Sequence, residues 1–109
     1  MRRWSVNGYV FTLERGNDQF RGYMPRVSAF FGIIIWMYYD EHNPPHVHAE
    51  FQGNWAVVDF NGNTMKGDLH SRTALRLVRE WIDLHIQELQ EDWELARAGC
   101  ALKEIEPLR

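Results

Sequence analysis

Apolar and polar positions follow one period up to about Ser71 and a different one after it. Ala29 to Tyr39 (AFFGIIIWMYY) is rich in β-branched and aromatic residues and ends at a turn cluster, which predicts a strand. Phe30, Ile34, Trp36 and Tyr38 would line one side of it, and Phe31, Ile33, Ile35 and Met37 the other. With both sides apolar, the strand is expected to be central and covered on both faces. Asp40 to Pro45 must be a loop, because Pro44 and Pro45 remove two backbone donors and fix two φ angles. His46 to Gln52 then alternates, setting His46, His48 and Glu50 opposite Val47, Ala49 and Phe51. That is the pattern of a half-buried strand. Gly53-Asn54 turns the chain into a strand at Trp55 to Phe60, and Asn61-Gly62 signals a two-residue hairpin into Thr64 to Leu69. The prediction is a four-stranded antiparallel meander.

After Ser71 the spacing becomes helical. Leu75, Val78, Ile82, Leu89, Trp93 and Ala96 form one stripe, with His85 between Ile82 and Leu89. Ser71 or Asp68 can cap its start, and Gly99 is placed to end it. Arg72 to Ala98 is long for one globular helix, so either one long helix or two shorter ones with a bend near Gln87 to Glu91 is expected. Pro107 stops any regular continuation of the tail.

These elements define an α+β fold, an antiparallel sheet packed against one or two C-terminal helices, with residues 24–109 as its single domain. Met1 to Tyr23 reads differently. Gly8 to Leu13 can form a short strand, so residues 1–23 are either an extension or the source of a fifth, edge strand.

Composition narrows the setting. The 109 residues are 45% hydrophobic and 14% aromatic, enough for one modest core and against disorder. Cys100 is the only cysteine, which excludes an internal disulfide and a cysteine-rich zinc site. Trp4 to Leu13 is too broken for a signal-peptide core, and the apolar run at Ala29 is too short to span a bilayer as a helix. Cytoplasm is the expected location, without membrane attachment. Residues 1–23 hold four Arg against Glu14 and Asp18, a net +2, while residues 24–109 hold eight basic and thirteen acidic side chains, a net −5. An acidic body disfavours non-specific duplex binding, which depends on neutralising phosphates. It suits a protein partner better.

The concentrated chemistry is His42, His46 and His48, with Asp40, Glu41 and Glu50 nearby. Residues two apart on a strand point the same way, so His46, His48 and Glu50 share a face. Together with His42 from the loop, the two strand imidazoles offer the ligand types of a zinc, iron or manganese site. His46 and His48 can equally serve as acid and base, since imidazole titrates near neutral pH. The third reading is structural: rings bonded to backbone and filling space beside Trp36 and Tyr38. Arg72, Arg76 and Arg79 share a helix face that can grip RNA phosphate or an acidic partner, or can simply be solvated beside Glu80 and Asp83. Glu88, Glu91, Asp92 and Glu94 read as a solvated acidic patch.

Met24-Pro-Arg-Val-Ser28, Gly32 to Tyr39, His42-Asn-Pro-Pro-His-Val-His-Ala49, Ala74 to Val78 with Trp81, Trp93 to Ala96 and Ile105 to Leu108 carry a resemblance. They resemble a family of short bacterial proteins known mainly as a domain of unknown function, over essentially all of residues 24–109. The proline–histidine segment is its most specific part. Members are commonly encoded beside a second small protein, an arrangement that has prompted toxin–antitoxin proposals. The resemblance implies that context, a cognate small protein as partner, and no particular chemistry. The leading expectation is a toxin-like or effector role, with RNA as the substrate class if there is one; a non-catalytic protein-binding module and a small metalloprotein using His42, His46 and His48 are the alternatives. A homodimer is the other expected association, because one helical layer covers only one sheet face.

Overall fold

In the computed structural model, the described residues are two strands, Arg2–Val6 (β1) and Tyr9–Leu13 (β2), together with residues 25–39 and 42–109. β1 and β2 form their own antiparallel two-stranded sheet, Trp4 opposite Phe11. The main sheet has five strands in simple meander order: β3 (Arg26–Phe30), β4 (Ile33–Trp36), β5 (His46–Phe51), β6 (Asn54–Asp59) and β7 (Thr64–Gly67). Two helices follow, α1 (Arg72–Leu84) and α2 (Ile86–Arg97). The fold is α+β.

Three local readings are corrected. Ala29 to Tyr39 is not one strand, because Phe31 and Gly32 turn the chain with φ of 51° and 80°. Positive φ at both central residues is the geometry that matches the twist of a two-residue hairpin. Gln52-Gly53 repeats it at 51° and 81°, at the same end of the sheet, since Ile33 lies opposite Phe51. The fifth strand of the main sheet is thus Arg26–Phe30, while among the described residues Tyr9–Leu13 pairs with Arg2–Val6. The second correction is at Asn61-Gly62, which closes a longer loop. Asp59 N–H donates to Asn63 O, and Gly62 N–H returns to Asp59 O, leaving three residues between. Asp59 Oδ1 stabilises this loop by accepting from the amides of Asn61 and Asn63. Third, the helical stretch breaks at His85 rather than within Gln87 to Glu91.

The register fixes the two faces. Ile33, Ile35, Val47, Ala49, Ala56 and Val58 form the side that meets Ala74, Val78, Trp81, Ile82, Leu89 and Trp93 in one core. Ile34, Trp36, His48, Glu50, Trp55 and Val57 belong to the other face. Ser71 caps α1, its Oγ accepting from Ala74 N–H at 3.0 Å. α2 ends as a Schellman motif, with Gly99 N–H on Ala96 O and Cys100 N–H on Leu95 O.

The C-terminal tail is fastened rather than loose. Ile105, 4% exposed, donates its N–H to Val27 O at 2.8 Å, which covers the outer edge of β3. Trp81 Nε1 donates to Glu106 O, Tyr39 OH donates to Cys100 O, and Lys103 N–H donates to Asp92 Oδ1. A buried tryptophan needs such an acceptor, and the tail supplies it.

Candidate functional site

Strand β5 holds His46 and His48 on one side, as their spacing requires. Their ring centroids lie 5.3 Å apart. Both are buried, at 3% and 0% exposure. His46 Nδ1 is 2.7 Å from Pro44 O, and because a carbonyl only accepts, Nδ1 carries the proton. Pro44-Pro45 thus orients the ring that follows it. His48 packs against Tyr38 at 3.9 Å, and His46 meets the edge of Trp93 at 5.2 Å. Trp93 in turn meets Phe60 at 6.1 Å. Tyr38, His48, His46, Trp93 and Phe60 therefore form a continuous chain of rings from the sheet to α2.

His42 is exposed on the preceding loop. Asp40 and Glu41 lie outside the described residues. Among the described residues no three His, Cys, Asp or Glu side chains form a group that could hold a metal ion. Glu50 is half-buried and accepts from Trp36 Nε1 at 3.4 Å. Trp36 lies opposite His48 in the register and stacks on Trp55 at 6.3 Å, while Tyr38 is the ring packed closely on His48.

The three arginines part company. Arg79 donates from Nε to Gly62 O at 2.6 Å and so braces the β6–β7 loop. Arg72 and Arg76 are exposed, and neither has a carboxylate within ion-pair distance among the described residues. Arg72 lines a cleft of about 450 Å³ between β7 and the start of α1, with Ala56, Thr64, Leu69 and Leu75.

Asp92 overturns its reading as part of a solvated patch. It is 1% exposed, and burial raises its carboxyl above the ordinary aspartate range, against the lowering effect of the Lys103 amide and ammonium. His85, at the break between the helices, bonds through Nδ1 to Glu88 Oε1 at 2.7 Å. No local pattern announces the Trp93 and Phe60 contacts. The signal available was the number of aromatic residues, which have to find partners once buried.

Residues 32–94 fit the family described as a domain of unknown function (DUF4160). No curated protein and no solved structure matches the chain.

Proposed function

Since the chain belongs to the DUF4160 family of unknown function, we propose that it is the protein-binding member of a two-protein bacterial module. In this reading the histidine pair holds the fold and performs no chemistry. The observation that carries it is the burial of both imidazoles, 3% and 0% exposed, inside a chain of rings. General acid–base work needs a ring within reach of a substrate proton. The acidic body, net −5 over residues 24–109, also suits recognition of a protein better than of a nucleic acid. The module would work in the cytoplasm; among the described residues, no helix is long and apolar enough to cross a membrane.

An effector acting on RNA is the second reading, favoured by the exposure of Arg72 and Arg76 without carboxylate partners. There His46 and His48 would be the acid–base groups, or ligands with His42.

One double variant separates the two. His46→Ala with His48→Ala is expected to lower stability by about 2–4 kcal/mol, through lost packing and orphaned hydrogen-bond partners. Binding to the cognate protein encoded beside it is expected to persist at temperatures where the variant stays folded. A variant of unchanged stability that loses its effect on cell growth would overturn the structural reading. So would stoichiometric zinc, iron or manganese in the purified wild-type chain that this variant no longer holds.

A further inference from the structure

The sheet face turned away from the helices carries a carboxylate between two tryptophans. In the register, Glu50 of β5 lies between Ile34 of β4 and Trp55 of β6. Trp36, two residues beyond Ile34, shares that face. Ile34, Trp36, Glu50 and Trp55 are all half-buried, whereas His48 and Val57 beside them are 0% exposed. The two indoles stack across the strand that holds Glu50, with 6.3 Å between centroids and 27° between planes.

Glu50 Oε1 accepts from Trp36 Nε1 at 3.4 Å, a long bond. Among the described residues, the carboxylate has no other hydrogen bond and no ion pair. Arg26 lies opposite Trp36 in the register but pairs with no carboxylate among these residues. A partly desolvated carboxylate gains from a counter-charge, and the sheet does not provide one. The indoles point to the same guest, because the negative face of an aromatic ring attracts a cation. Carboxylate and indoles together fit guanidinium best. It is planar, stacks on an aromatic face, and can give a carboxylate two parallel N–H bonds.

We infer that Glu50, Trp36 and Trp55 receive an arginine side chain of the partner protein. Its guanidinium pairs with Glu50 and lies against the indoles, and its methylene stem covers Ile34. The net −5 of residues 24–109 draws a basic partner toward the chain. The inference rests on the reading of the chain as a protein-binding module, and it names a side chain that the partner must present.

The test follows the indole N–H resonances of Trp36 and Trp55 in the isotope-labelled full-length chain, identified with Trp36→Phe and Trp55→Phe. Acetyl-arginine amide is expected to shift both saturably. Its citrulline analogue, equal in shape but uncharged, should shift neither. Acetyl-lysine amide should bind at least about threefold more weakly than the arginine compound. Glu50→Gln keeps an acceptor for Trp36 Nε1 and should weaken arginine binding at least about tenfold. Trp55→Leu should weaken it by about twofold to fivefold. Both variants should keep a cooperative thermal transition, and Arg26→Gln should bind arginine no more weakly than wild type.

Equal shifts from arginine and citrulline would overturn the proposal on the wild-type chain alone. Arginine binding of unchanged strength in Glu50→Gln would do so too, as would arginine leaving both indoles unmoved. Tighter binding of the lysine compound would replace guanidinium with ammonium. Stronger shifts from guanosine monophosphate would replace the arginine with a nucleobase, which can also stack on indole and donate to a carboxylate. The cognate protein is tested separately. If Glu50→Gln leaves its binding unaffected, the module reading stands and this site is removed from it. If the chain binds arginine but no cognate protein, the module reading falls, and with it the assignment of the arginine to a partner.

Discussion

At the scale of single residues, Asp92 shows how far a local pattern can mislead. In sequence it sits among Glu88, Glu91 and Glu94 and reads as one more solvated acid. In the fold it is buried and accepts the Lys103 amide at 2.9 Å, while its Oδ2 has no partner among the described residues. Desolvation raises its pKa, helped by nearby Glu91 and Glu88 and opposed by Lys103. A carboxyl whose folded pKa is raised binds its proton more tightly in the folded state than in the unfolded one. The cost of burying its charge is therefore absent below about pH 3.8 and grows as pH rises through the folded value. Asp92→Asn keeps an acceptor for Lys103 N–H and removes the charge. It is expected to unfold at an equal or higher temperature than wild type at pH 7, with the difference shrinking toward pH 4. A clear drop in Tm at pH 7 would mean that the ionised carboxylate is needed as such.

Elements are held by the stripe that the helical period marked. Of its members, Val78 and Ile82 of α1 and Leu89, Trp93 and Ala96 of α2 are buried in the core, Leu75 and His85 are half-buried, and Ala74 and Trp81 join the buried set. Val78 is 0% exposed, so Val78→Asp would bury a charge without a partner. The expected loss exceeds about 3 kcal/mol in denaturant unfolding. A midpoint equal to wild type would place this helix face away from the core. Strand boundaries were less legible than the helices. Gly32 was the only mark of a turn within AFFGIIIWMYY, and its neighbour Phe31 is an unusual residue at positive φ. A continuous apolar run cannot by itself say where a buried strand stops.

At the scale of the whole molecule, the five-stranded sheet, both helices and the core formed by the described residues fall within residues 25–109. A chain beginning at Met24 is therefore expected to keep a single cooperative thermal transition, checked by circular dichroism at two wavelengths. Loss of cooperativity would make residues 1–23 part of the same folding unit. The histidine segment belongs to this scale as well. Alternation correctly put His46 and His48 on one face, but whether that face meets solvent depends on what packs there.

Local physics thus determined much of this protein. Alternation set the face of each residue in β5, the change of period set the switch from sheet to helix, and Ser71 and Gly99 bounded the helical stretch. These depend on backbone geometry within a few residues, which the sequence carries directly. Only the tertiary structure decided that Trp93 meets His46, that Asp92 is buried under the tail, that Arg79 braces a loop, and that the tail reaches β3. Each of these joins residues more than ten positions apart. Solvent exposure and partner geometry at such contacts depend on how whole elements pack, and a period of two or of 3.6 carries no information about that.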